Sequence, residues 1–276
     1  MKFTTRVDID EPPFSIEPCE RMLFVGSCFA AEMGKRFAEE KFRVTVNPFG
    51  TMYNPASILH TVEKVEGEAP QTAVLTLGTN RVYILNETGE IVDNCQKRPQ
   101  RLFTEKALSV EECTRYLQQA VDTLKTRNPR VRVIVTVSPI RYAKYGFHGS
   151  QLSKATLLLA ADKLCRANTD TVTYFPAYEI VNDELRDYRF YAEDMLHPSP
   201  QAVSYIWERF SDLYFSSAAK RFLEAWRPIK RALSHRPLHP DSPEYLAFLA
   251  KTLEEAQRLK TEYPDLELDG DLKTNA

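Results

Sequence analysis

The chain has 276 residues, 43% hydrophobic, 11% aromatic and 27% charged, with 36 Lys and Arg against 38 Asp and Glu for a formal charge of −2. That balance excludes a disordered or collagen-like chain and gives no bulk basic character for nucleic acid. No apolar run is long enough to cross a bilayer, and a chain of this size buries roughly 75% of its unfolded surface without a disulfide or metal staple.

Residues 1–20 carry Asp8, Asp10, Glu11, Pro12, Pro13 and Pro18 where a signal peptide would have an apolar core, which predicts a cytoplasmic location. Residues 22–25 form a short apolar run bounded by charge and Gly, the pattern of a buried strand. Residues 29–42 place apolar side chains at 29, 30, 33, 37 and 38, which is helical spacing. Residues 44–46 read as a second strand, and 55–65 as a helix opened by Pro55. Residues 73–77 are a third strand, followed by a hairpin-type pair, 82–85 and 90–92, around Glu87-Thr88-Gly89. Ser109 and Glu112 match a capping box at the start of a helix over 109–126. The β-branched run 131–137 is the clearest strand. A helix over 151–167 and a strand over 172–175 follow. Residues 199–235 are strongly helical, with a break expected near Pro228.

Near-continuous apolar strands alternating with amphipathic helices imply βαβ units and a mostly parallel sheet, here a three-layer α/β/α domain over 20–235. The expected division is residues 1–235 as one domain and 236–276 as a C-terminal helical extension punctuated by Pro237, Pro240 and Pro243. The helix expected over 244–263 carries Leu246, Phe248, Leu249 and Leu253. That stripe is expected to be buried on the sheet domain or on a second subunit, the latter making a homo-oligomer.

Open parallel sheets bind ligands outside the carboxyl ends of their strands, here just after residues 25, 46, 77, 137 and 175. After the first strand, Ser27 sits beside the amides of a helix N-terminus, which can hold a developing oxyanion; by itself such a Ser is more often a helix cap. Cys28 is a rival nucleophile at the same turn, but neighbouring residues point different ways, and Cys28 is expected to face the core. After the second strand, Gly50 permits a tight loop with an amide free for a ligand. After the third, Gly78-Thr79-Asn80 offers an Asn donor in what is otherwise an ordinary turn. Farther on, His197 stands just before a helix capped by Ser199, with Asp194 placed to hold one imidazole tautomer. One His and one carboxylate, with only His148 to supplement them, are too few for a metal site. Five cysteines, Cys19, Cys28, Cys95, Cys113 and Cys165, without CxxC spacing, argue against a disulfide framework or zinc ribbon and predict free thiols. A Ser, oxyanion donors and an Asp/His pair at strand ends are the parts for acyl transfer.

Gly26-Ser27-Cys28-Phe29-Ala30 resembles the motif of the GSCFA family, a branch of the SGNH (GDSL-like) hydrolases. The resemblance continues through Asn47-Pro48-Phe49-Gly50, Asn94-Cys95-Gln96-Lys97, Val137-Ser138-Pro139-Ile140-Arg141, Gln151-Leu152-Ser153-Lys154, Tyr174-Phe175-Pro176-Ala177 and Asp194-Met195-Leu196-His197-Pro198. It implies a flavodoxin-like SGNH-hydrolase fold, Ser27 as nucleophile, Asp194 and His197 as the base pair, and the Ser27 and Gly50 amides as oxyanion donors. The superfamily's third block ends in an acid where this chain has Arg81. Asn80 fits that block by spacing, and Thr79 or Asn94 are the alternative donors. The implied activity is a serine esterase on a small-molecule or carbohydrate ester, with no cofactor. The rivals are an acyltransferase to a sugar or other alcohol using the same site, and an inert ligand-binding protein. Tyr53, Asn94, Arg141 and Lys154 are the expected substrate-binding residues; Arg141 and Lys154, if they face the site, favour an anionic or sugar-bearing ester.

Overall fold

A computed structural model describes residues 4–268. Five strands, β1 (Arg21–Gly26), β2 (Arg43–Val46), β3 (Thr72–Leu77), β7 (Arg132–Val137) and β8 (Val172–Tyr174), form a central sheet in the order β2-β1-β3-β7-β8. Every pairing in it is parallel. Counting these strands alone, the order is 2-1-3-4-5, the flavodoxin-like winding.

Alternation along the strands divides the core between two faces. Leu23, Val25, Ala73, Leu75, Leu77, Val133 and Val135 point to one side, where they pack on α2 (Pro55–Lys64), α3 (Val110–Arg127) and α4 (Gly146–Ala167). Met22, Phe24, Val74 and Ile134 point to the other, against α1 (Cys28–Glu39), the short helical segment that opens with α5 (Ala177–Glu179), and α6 (Pro200–Tyr214). The result is the three-layer α/β/α arrangement. The capping box at α3 forms as the sequence predicts, with Ser109 and Glu112 bonded reciprocally. A three-stranded antiparallel sheet, with its second strand in chain order at an edge and its first in the middle, is inserted between β3 and α3. Its strands β4 (Arg81–Leu85) and β5 (Ile91–Val92) were legible, whereas β6 (Phe103–Ala107) was not; it is held by antiparallel pairing with β4.

The long helical stretch breaks elsewhere than at Pro228. It is divided into α6 and α7 (Ser217–Leu233), and Pro228 lies inside α7. The break falls at Phe215 because Ile16 pairs there: Ile16 N–H donates to Tyr214 O at 2.7 Å and Ser216 N–H to Ile16 O at 3.1 Å. Ser216 then caps α7. The last helix, α8 (Pro243–Glu262), buries a different stripe from the one expected. Thr252, Ala256 and Leu259 are buried, while Leu246 and Phe248 are 54% and 43% exposed. Phe222, Trp226 and Ile229 of α7 select that face, together with Leu266 and Leu268.

Candidate active site

β1 ends at Gly26, whose φ of +141° disfavours any L side chain. A Cβ there would lie 2.1 Å from Thr76 O on the neighbouring strand, so the chain passes β3 at a distance that only Gly permits. The next residue, Ser27, caps α1 and is buried. Its N–H is shared between Thr76 O, at 3.1 Å, and Thr76 Oγ1, at 2.9 Å. Its Oγ lies 3.0 Å from Thr76 Oγ1 and accepts from Phe29 N–H at 3.3 Å.

His197 arrives on a stiff loop. Tyr191 and Pro198 bridge across it, Ala192 N–H donates to His197 O at 2.8 Å, and Arg141 N–H donates to Leu196 O at 2.9 Å. Asp194 closes the turn, with Oδ1 accepting from the N–H groups of Leu196 (2.9 Å) and His197 (3.0 Å). Its Oδ2 lies 2.5 Å from His197 Nδ1. The backbone N–H groups of His197 and Leu196, then the His197 ring, hold the Asp194 carboxyl down at about 2. A carboxylate on Nδ1 leaves Nε2 as the acceptor in the neutral ring.

Ser27 and His197 line one cavity of about 240 Å³, with Cys28, Tyr53, Arg141 and Tyr142 among its walls. Among the described residues no hydrogen bond joins the two; Ser27 Oγ is turned to Thr76 instead. Tyr53 lies at the cavity wall, its phenol pushed up to about 12, by burial first and then by the Cys28 thiol. Arg141 lines the cavity too, with its guanidinium 4.0 Å from the Phe147 ring centroid and Nη1 donating to Met195 O.

Seven expectations are corrected. The Ser27 N–H, expected as an oxyanion donor, is instead held by Thr76 O and Oγ1 on the neighbouring strand. Gly50 N–H donates to Asn47 O at 2.8 Å, so that amide closes its own turn rather than serving an oxyanion. Asn80 Nδ2 donates to Leu108 O at 2.7 Å, tying the loop to the segment before α3. Thr79 Oγ1 is paired with Ser153 Oγ at 3.0 Å. Asn94 lines a separate cavity of about 910 Å³ with Gly50 and His60, one that includes neither Ser27 nor His197. Lys154 is not at the rim: it is 2% exposed, and its ammonium donates to backbone carbonyls. Cys28, expected in the core, is half-buried in the cavity wall with Sγ 3.7 Å from Tyr53 Oη. All five cysteines are free thiols. Thr76, Ser138 and Tyr142 were missed. Thr76 reads only as one more residue of a buried strand, and its place under Ser27 depends on the Gly26↔Thr76 register.

The family model described as GSCFA family matches residues 21–73 and 68–210, and that of the GSCFA domain protein, C-terminal domain, matches 226–274. The chain belongs to the GSCFA family. This GSCFA chain has a three-layer α/β/α fold, with the parallel flavodoxin-like sheet and a C-terminal helical extension. A search of curated proteins found no match. Among solved structures, it is similar to an acetylxylan esterase from Geobacillus stearothermophilus at 14% identity, covering 74% of this chain and 98% of that one, TM-score 0.48. It is similar also to a carbohydrate esterase family 3 protein from Talaromyces cellulolyticus (11% identity, 70% and 95% covered, TM-score 0.40). A third is a Lactobacillus plantarum protein (13% identity, 73% and 100% covered, TM-score 0.49). No group of three or more metal-ligating side chains occurs among the described residues of this GSCFA chain, and no helix there is long and apolar enough to cross a membrane.

Proposed function

We propose that the protein is a serine-dependent ester hydrolase, with Ser27 as nucleophile, His197 as general base and Asp194 as the group that orients it. The observation that carries this reading is that Ser27, at a helix N-terminus, and the Asp194-bound His197 line one cavity. For attack, the Ser27 side chain turns from Thr76 toward the cavity, and Nε2 of His197 takes its proton as Oγ bonds to the ester carbonyl. The alkoxide leaves with that proton, and water then releases the acid from the acyl-serine. Asp194 stays ionised and holds Nδ1–H in place.

With the Ser27 and Gly50 amides, Asn80 and Thr79 bonded elsewhere, the oxyanion falls to the first turn of α1. Cys28 N–H, in its first turn, has no intrahelical acceptor. A positioned donor of this kind contributes on the order of 3 kcal/mol to the barrier. A cavity of about 240 Å³ takes a short acyl group, with Arg141 and Tyr53 beside the alcohol portion. The division into a catalytic unit and a helical appendage is part of the proposal, since the α7–α8 cluster includes none of the cavity residues.

The test is labelling by a fluorophosphonate together with hydrolysis of a short-chain aryl ester. Wild type should label at Ser27; Ser27→Ala should not label, and His197→Ala should lose several orders of magnitude in hydrolysis at unchanged melting temperature. Undiminished labelling of Ser27→Ala, or near wild-type turnover by His197→Ala, would overturn the assignment.

A further inference from the structure

Among the described residues Lys154 is a buried ammonium whose hydrogen bonds go to backbone carbonyls, with no carboxylate paired to it. Its Nζ donates to Gly78 O at 2.8 Å and Ser138 O at 2.7 Å. Gly78 follows the end of β3, Ser138 follows the end of β7, and both line the cavity that holds Ser27. Its neighbour Ser153 continues the grip, accepting Asn80 N–H at 2.9 Å and pairing with Thr79 Oγ1. The held loop in turn sets the cavity wall, because Gly78 and Thr79 N–H groups both donate to Tyr53 O, at 2.9 and 2.7 Å.

A buried charge without a counter-ion is costly, and a methionine or leucine would fill the same volume without that cost. The charge lies where two strand ends meet the cavity, and the proposed reaction passes through an anion in that cavity. We propose that Lys154 is a positioning residue, which ties the ends of β3 and β7 together beneath the Ser27 cavity and, in its ammonium form, places a positive charge there for the anionic intermediate. This rests on the ester-hydrolase reading above. It also accounts for a site whose sequence-predicted side-chain donors are engaged elsewhere.

The groups that face the ammonium are the carbonyls of Gly78 and Ser138, Ser153 beside it on α4, and the Tyr178 ring of α5, whose centroid is 5.9 Å away. The Tyr178 phenol is raised by burial and stays protonated near neutrality. Burial alone draws the Lys154 ammonium down to about 7. The ammonium is therefore present below that pH and is lost as pH rises through it.

The experiment follows fluorophosphonate labelling and aryl-ester kinetics of the full chain from pH 5.5 to 9.5, in wild type, Ser27→Ala and Lys154→Met, with melting temperatures. Wild-type rates should rise with deprotonation of the base and then fall above about pH 7. Lys154→Met should lower kcat by roughly 10- to 100-fold, less than removal of a direct oxyanion donor, with KM little changed and the alkaline fall absent. A kcat within threefold of wild type, or an alkaline limb that persists in Lys154→Met, overturns the role. Should that variant fail to fold, the wild-type profile decides: a rate that holds level to pH 9 refutes it. If wild type labels nowhere, or Ser27→Ala labels equally, the hydrolase reading is what fails, and the Lys154 role falls with it.

Discussion

Replacing Gly26 with Ala tests how closely the nucleophile's position depends on one strand crossing. The added Cβ would meet Thr76 O at 2.1 Å and Thr76 Oγ1 at 2.6 Å, where ordinary contact begins at 3.4 Å. β1 and β3 must therefore part by more than an ångström at the Gly26↔Thr76 pair. Overpacking of this sort costs roughly 1–3 kcal/mol, and a side chain at φ +141° adds roughly 1–3 kcal/mol of backbone strain. The Ser27 N–H bonds to Thr76, at 3.1 and 2.9 Å, stretch with the gap, at about 1 kcal/mol each. Together these give roughly 4–8 kcal/mol. In a chain of this size each kcal/mol lowers Tm by about 2 °C, so a fall of about 8–16 °C is expected by calorimetry. Labelling of Ser27 in the folded fraction should drop at least about tenfold, because the nucleophile moves with the strand. Gly89→Ala is the control: its φ is +71°, but nothing lies within 4 Å of its added Cβ, so it carries the backbone strain alone. If Gly26→Ala melts within about 2 °C of wild type and labels equally, close approach to Thr76 does not hold the site.

The remaining predictions concern the appendage and a second His–Asp pair. Leu259→Ala empties part of the α7–α8 cluster around Trp226 and Phe222 and should cost about 2–4 kcal/mol while leaving Ser27 labelling unchanged; Leu246→Ala, at an exposed position, should stay within about 0.5 kcal/mol. Loss of labelling in folded Leu259→Ala would make the appendage part of the site. His60 Nδ1 lies 2.7 Å from Asp93 Oδ1, and that bond raises the His60 imidazole. Burial pushes the Asp93 carboxyl up, but the bond and charge of His60 and the charge of Lys64 outweigh it and leave the carboxyl lowered. His60, charged in both states below its unfolded value, contributes stability fully there and loses it as pH rises through its raised folded value. Tm measured from pH 5 to 8.5 should therefore fall more steeply in wild type than in Asp93→Asn, and equal slopes would remove the pair from the stability balance.

Much of this fold is legible in local pattern. The apolar runs of β1, β3 and β7 and the 3.6-residue spacing of α1 to α3 are periodicities that each segment displays by itself, and the capping box of α3 involves residues three apart. The position of Ser27 at a strand end, and the Asp194–His197 pairing within one turn, are equally local and were readable. What lay outside the sequence pattern depends on partners far along the chain. The long helix breaks at Phe215 because Ile16, some two hundred residues earlier, pairs there; Pro228, the local breaker, is accommodated within α7. β6 has little strand signal of its own and exists through β4. α8 has two apolar stripes, and the faces of α7 and of Leu266 and Leu268 choose between them. In the site, the amides and side chains of Gly50, Thr79 and Asn80 are right by type but bonded elsewhere, and Lys154 is charged by type but buried by packing. A residue type states which bonds a group can make; only the register of β1 on β3 and the docking of α4 decide which partner reaches it first.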